Sequence, residues 1–177
     1  TLNAHANLAL MRAFQPSRAD IASAEAAIAA WTGYAPTPLS NLPALAAFCD
    51  VAAVELKLES ARFDIGSFKA LGPPYALQRA IERKFGNTRC AEAVAVAATS
   101  GNHGRALAWG ARRLGVRCCI VMPAHISAGR EAAIVAHGAE VLRVRGNFDD
   151  AFTEAVSIAK RPGHMLIGDI DDAASAA

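Results

Sequence analysis

The 177 residues are 53% hydrophobic and 19% charged, with a formal net charge of +2. That is enough apolar material for one ordinary core, or for part of a larger two-domain protein. So even a balance excludes a protein that holds nucleic acid or an acidic membrane surface by charge, and no apolar run reaches the length of a membrane span.

Residues 2–14 are polar and then apolar, with no commitment to helix or strand. Residue 1 is Thr, as expected of a chain whose start was processed or left out. The opening lacks the basic region, apolar core and cleavage site of a secretory signal. Ser17 and Asp20 are spaced like a capping box, and Ile21, Ala24, Ile28 and Trp31 recur at helical spacing. This predicts a core-packing helix that ends at Gly33. Pro36, Pro38 and Pro43 mark an extended lead-in to a short helix ending near Phe48. Residues 51–58 read as a strand, and Arg62, Asp64 and Gly66 as a polar loop.

The loop leads to Ser67-Phe68-Lys69-Ala70-Leu71-Gly72, which sets one lysine among apolar and small residues. A lysine is a nucleophile only when its amine sheds a proton, and partial burial promotes that. The free amine can then form a Schiff base with a carbonyl. On the hexapeptide alone, a surface lysine near a helix start is the plainer reading. Pro73-Pro74 cannot lie inside a helix. One solution is a single turn over 67–71, then a fresh helix with Gly72 as cap and Pro73 in its first position, ending near Phe85-Gly86.

Beyond this the pattern alternates: strand 93–98, helix 105–114, strand 118–122, helix 127–137, strand 141–144, helix 149–160 and strand 165–167. Gly115, Gly138 and Gly163 punctuate the helix ends. The alternation predicts an α/β unit of about four strands in a parallel sheet with right-handed crossovers. Thr99-Ser100-Gly101-Asn102-His103-Gly104 falls at the carboxyl end of its first strand, where open α/β sheets bind ligands. The turn gathers backbone N–H groups and two hydroxyls at a helix N-terminus, which suits a carboxylate or phosphate. An ordinary cap would also use Ser or Asn, but it accounts for neither both glycines nor Asn102.

Cysteines at 49, 90, 118 and 119 form no Cys-x-x-Cys, and 118 and 119 point to opposite faces of a strand. Buried free thiols in a reducing cytoplasm are expected. The five histidines show no metal-ligand spacing, no Walker-type or dinucleotide-type glycine loop is present, and no metal is expected. Asp169, Asp171 and Asp172 read as loop and cap acids.

The lysine and Asn102 stretches together resemble the fold-type II pyridoxal-phosphate enzymes, which include serine and threonine dehydratases and the tryptophan synthase β chain. Within that group they are most similar to the diaminopropionate ammonia-lyases. The resemblance runs from about Gly33 to about Gly168. It is carried by Tyr34-Ala35-Pro36-Thr37-Pro38-Leu39, Leu42-Pro43-Ala44-Leu45-Ala46, Lys57-Leu58-Glu59-Ser60, Arg62-Phe63 and Ser67 to Gly72. Gly101-Asn102-His103-Gly104-Arg105 and Ala108-Trp109 complete it.

The resemblance implies a tryptophan synthase β-like parallel-sheet architecture. Residues 1–86 would belong to the larger cofactor domain, 87–170 would form a small α/β domain, and 171–177 would begin the return to the larger domain. It implies that Lys69 holds pyridoxal 5′-phosphate and acts as base, with Phe68 beside the cofactor and Asn102 on its ring oxygen. Thr99, Ser100, Gly101, Asn102 and His103 would surround the substrate carboxylate. The implied reaction is β-elimination of ammonia from 2,3-diaminopropionate, giving pyruvate and ammonia. A cytoplasmic homodimer acting on a small amino acid, without nucleic acid or membrane, is implied with it.

The chain departs from the family pattern at three places. Pro73-Pro74 stands where the family has glycines or small residues. Ser100 stands where diaminopropionate lyases commonly have an acid. After Gly146 only Gly163 and Gly168 remain, too few for the phosphate-binding glycine loop, so the front part of a truncated enzyme is expected. A serine or threonine dehydratase-like lyase and a non-catalytic α/β binding module are the alternative expectations.

Overall fold

The computed structural model describes residues 16–63, 65–86 and 92–168. The expectations for residues 2–14, Asp64, Cys90, Asp169, Asp171, Asp172 and 171–177 lie outside the described residues. The chain divides into two units, Thr1–Tyr34 and Ala35–Ala177.

In the first unit Ser17 caps helix α1 (Arg18–Ala29) as its spacing predicts. The Asp20 N–H donates to Ser17 Oγ at 3.1 Å, and the Ser17 N–H donates back to Asp20 Oδ2 at 3.1 Å. The expected core face does not form. No residue of α1 is buried, and Ile21 is 46% exposed. Between Ile21 and Ile28 the stripe holds only Ala24, and alanine adds little apolar area to bury.

The second unit opens with an antiparallel pair, β1 (Leu39–Asn41) and β2 (Glu55–Lys57), joined through helix α2 (Pro43–Phe48). Leu39 faces Lys57 and Asn41 faces Glu55. The strand expected over 51–58 thus shrinks to three residues. Its partner is bracketed by Pro38 and Pro43, which have no N–H to extend the ladder. Cys49, expected to be buried, is exposed, because the six-residue α2 buries only Ala46.

Two 3₁₀ turns follow, Glu59–Ala61 and Phe68–Ala70, then helix α3 (Gly72–Phe85). The predicted break after the lysine is present, shifted by one residue. Leu71 is the N-cap, so Gly72 and Pro73 are the first two helical residues. Either register suits a proline, since first-turn N–H groups have no intrahelical acceptor.

The remainder is β3 (Val94–Ala98), α4 (Asn102–Leu114), β4 (Arg117–Pro123), α5 (Ala128–Val135), β5 (Glu140–Val144), α6 (Phe148–Ala159) and β6 (His164–Leu166). The four strands form one parallel sheet in the order β5-β4-β3-β6. Val96 lies opposite Cys119 on one side and Leu166 on the other. One sheet face, with Ala95, Ala97, Ile120 and Met122, packs on Leu77 of α3, Leu107 of α4 and Ile134 of α5. The other face, with Val94, Val96 and Val121, packs on Ala151, Ala155 and Ile158 of α6. Cys118 and Cys119 join opposite faces, as their adjacency predicts. Burial pushes the Cys118 thiol up to about 12, so it stays protonated and unreactive. Among the described residues no helix is long and apolar enough to cross a membrane.

Helix α4 begins three residues earlier than expected. Gly101 is its N-cap, and the Arg105 N–H already donates to the Gly101 carbonyl at 3.2 Å. Asn102 and His103 therefore occupy the first helical turn, at the carboxyl edge of β3.

Candidate functional site

The lysine segment is held by the chain that leads into it. Buried Arg62 gathers four acceptor atoms from three residues. Its Nε donates to Glu59 Oε2 at 3.0 Å, Nη1 to the Ala35 carbonyl at 3.1 Å, and Nη2 to Glu59 Oε1 at 2.8 Å and Thr37 Oγ1 at 3.0 Å. Thr37 Oγ1 in turn donates to Glu59 Oε1 at 2.6 Å. The hydrogen bond from Arg62, against the opposing cost of burial, carries Glu59 from 4.5 down to about 2. Next to the segment itself, Gly66 takes a positive φ of 65°, which lets the chain turn into Ser67. Ser67 Oγ accepts the Lys69 N–H at 3.3 Å and caps the 3₁₀ turn.

Ile65 and Ala70 bury themselves against Ala106 of α4, with Phe63 and Trp109 packed alongside at a ring separation of 4.9 Å. Lys69 thus stands, half-buried, on a turn pinned to the flank of α4. Its Nζ lies 5.6 Å from the centre of the Phe68 ring, and Phe68 itself is 62% exposed.

The second element is the turn between β3 and α4. Buried Thr99 anchors it. Its N–H donates to the Val121 carbonyl at 3.1 Å, and its Oγ1 accepts the Gly101 N–H at 3.2 Å. Gly104 is required beneath it, because a Cβ there would sit 2.4 Å from Thr99 Cγ2. The His103 ring is buried, with Nε2 2.8 Å from the Ile167 carbonyl. It braces the turn against the end of β6. Asn102 is exposed, and no side chain caps the α4 N-terminus.

Ser100, Gly101, Asn102 and Arg105 form one wall of a cavity of about 540 Å³, and Ser127, Gly129, Arg130 and Ala133 form the other. Arg130 Nη1 donates across it to the Ser100 carbonyl at 3.2 Å. Three of the predicted site residues, Ser100, Gly101 and Asn102, therefore share a cavity. Thr99 and His103 support it from below, and Lys69 and Phe68 lie outside its walls, on the turn packed against the same helix.

Sequence reading passed over Arg105 and Arg130. A usable signal was present, since a cation in the first turn of a helix opposes the dipole by about 0.3–1 kcal/mol and invites an explanation.

A half-buried primary amine on a pinned turn and an exposed amide side chain at a helix N-terminus are the donors that an aldehyde-bearing, ring-hydroxylated cofactor needs. The residues present fit pyridoxal phosphate. A parallel α/β sheet with an anion-suited turn at its carboxyl edge, and a lysine-bearing turn packed against the helix that leaves it, is an arrangement that suits an aldehyde cofactor. The model of the family "Pyridoxal-phosphate dependent enzyme" matches residues 30–177, and the chain belongs to that family. Pyridoxal 5′-phosphate is its cofactor.

The chain is 36% identical over 152 residues to a diaminopropionate ammonia-lyase of Salmonella typhimurium, covering 77% of this chain and 38% of that protein. It is 36% identical over 107 residues to a threonine synthase of a Bacillus species, covering 60% of this chain and 28% of the other. The holo diaminopropionate ammonia-lyase of Escherichia coli superposes with a TM-score of 0.80 at 31% identity, over 86% of this chain and 42% of that one. The chain thus spans about two-fifths of the length of these lyases.

Proposed function

We propose that this protein eliminates ammonia from 2,3-diaminopropionate, yielding pyruvate and a second ammonia. The observation that carries the reading is Lys69, half-buried on a capped turn fixed to the helix whose first residue is Asn102. The likeness to relatives named diaminopropionate ammonia-lyase supports the choice of substrate. In this reading residues 1–86 belong to a larger domain, 87–170 form the small domain and 171–177 lead back, in a cytoplasmic homodimer.

Lys69 Nζ would hold the cofactor's aldehyde carbon, Asn102 its ring oxygen, and Phe68 one side of its ring. When bound, pyridoxal phosphate withdraws electrons from the substrate's Cα. The N–H groups of the Ser100–Gly101–Asn102 turn orient the substrate carboxylate, while Thr99 and His103 keep that turn in shape. Once the substrate's amine has taken its place on the aldehyde carbon, the freed Lys69 Nζ would take the Cα proton, and the Cβ–N bond would break to release ammonia. Water then hydrolyses the remaining enamine to pyruvate and the second ammonia.

A serine or threonine dehydratase-like lyase is the second reading. Ser100 favours it, because no acid stands at that position.

Borohydride reduction of the holoenzyme followed by peptide mapping tests the lysine. The cofactor should be fixed to the peptide containing Lys69, and a label on Lys57 or Lys84 instead would overturn the assignment. Initial rates on 2,3-diaminopropionate, L-serine and L-threonine then separate the two readings.

A further inference from the structure

Arg62 is 6% exposed and is not among the residues that line the cavity beside the Asn102 turn. Its guanidinium ties the Ala35–Thr37 lead-in and Glu59 of the first 3₁₀ turn to its own loop. A largely buried ion pair of this kind adds little to stability, because desolvation offsets most of the attraction. What it supplies here is a fixed geometry. A planar fork that meets several acceptors at once has few alternative poses.

The main chain passes that geometry on. The Arg62 carbonyl accepts the N–H groups of Ile65 at 2.9 Å and of Gly66 at 3.2 Å, which closes a turn that opens directly on Ser67. Within this turn Phe63 takes a φ of 49°. A bulky side chain adopts that left-handed backbone only where its surroundings impose it. The Phe63 ring packs on Trp109 of α4, and fully buried Ile65 packs on Ala106 of the same helix. The strained residue thus lies between the Arg62 clamp and the Asn102 helix, and the lysine turn follows it.

We propose that Arg62 is a positioning residue for Lys69. Its clamp holds the left-handed turn at Phe63 and so sets where the Lys69 amine stands along α4 relative to Asn102. A cofactor joined to Lys69 and met by Asn102 needs that spacing. The proposal rests on the reading of Lys69 as the residue that carries pyridoxal phosphate, and not on which amino acid the enzyme acts upon. Borohydride mapping of the natural protein tests that reading separately, so the failure of one is distinguishable from the failure of the other.

The test removes and returns the cofactor on the full protein. It sets the apparent dissociation constant of pyridoxal phosphate, read from the absorbance of its lysine-bound form, beside the urea midpoint of the same sample. Arg62→Lys keeps the charge and loses the fork. The triple variant Thr37→Val/Glu59→Leu/Arg62→Met replaces the clamp with apolar groups, a change that restores stability where an ion pair is only structural. Both should weaken cofactor binding about tenfold or more, the triple variant at a urea midpoint close to the natural one. Thr37→Val alone, nearly isosteric, should weaken it less and in the same direction. The proposal is overturned if the triple variant recovers the natural cofactor affinity, or if affinity across the variants only follows the loss of stability. Should neither Arg62 variant fold, Thr37→Val decides, and unchanged affinity there overturns the proposal.

Discussion

Pro74 fills the space that a side chain on Gly110 would need, so that a Cβ built on Gly110 lies 2.7 Å from Pro74 Cβ and 2.9 Å from its Cα. The contact seats α3, which begins three residues beyond Lys69, directly on α4, which begins at Asn102. The paired prolines are thus part of the packing that brings the lysine segment to the Asn102 helix. Gly110→Ala should destabilise the protein by about 1–3 kcal/mol through overpacking, read as a lower Tm. An unchanged Tm would show that the helices separate without cost.

Glu59 links the segment before Lys69 to acid stability. Its folded value of about 2 lies below the ordinary 4.5, so the folded state favours the ionised carboxylate. That contribution is complete above about 4.5 and is lost as the pH falls from there towards 2. Glu59→Gln should therefore unfold at lower urea than the natural protein at pH 7, with the gap closing across this acid window. Urea midpoints measured at a series of pH values check it, and a gap that is constant with pH would exclude Glu59 as the titrating group.

The parallel sheet was legible because helix ends are punctuated by a glycine at positive φ, at 115, 138 and 163, and because strand-like and helical segments alternate along the chain. The start of α4 was less so. Gly101 and Gly104 look like loop residues, although Gly104 is a helical residue kept small by Thr99. The β1–β2 pair escaped notice, since prolines on both sides of β1 disguise three paired residues as irregular chain. Arg105 and Arg130 could not be joined by sequence at all. They lie on separate helices and line one cavity only because β3 and β4 are neighbours in register. The exposure of Cys49 and of α1 shows the limit of composition, which counts apolar residues without saying what covers them.

Asn102 separates a structural from a chemical role. It is exposed in the first turn of α4 and its side chain makes no cap, so its loss should cost the fold less than the ~1 kcal/mol typical of a lost cap. If it meets the cofactor ring, Asn102→Ala should cut kcat by about 10²–10³, as removal of a preorganised donor does elsewhere. Turnover and Tm measured on one preparation decide it. A Tm loss with unaltered turnover would return Asn102 to a purely structural part.

Ser100 bears on stereochemistry. With a hydroxyl there, the one evident base is Lys69 Nζ, and a single amine reaches one face of the substrate. If the carboxylate stays in the Asn102 turn, the Cα proton of a D-amino acid points to the opposite face. A serine hydroxyl is no substitute, because general-base efficiency needs a pKa near the working pH, and a well-placed base contributes about 10²–10⁴-fold. Elimination from L-2,3-diaminopropionate should therefore outrun that from the D-isomer by about 10² or more. Ser100→Asp should narrow the gap by raising the D rate alone. The gain is restrained by Arg130, whose Nη1 already lies 3.2 Å from the residue 100 carbonyl. A guanidinium so close keeps an introduced carboxylate ionised but makes it a weaker base. Ser100→Asp combined with Arg130→Gln should then process the D-isomer faster than Ser100→Asp alone. Initial rates on both isomers test each step, and equal L and D rates in the natural protein would require a second base that Ser100 does not supply.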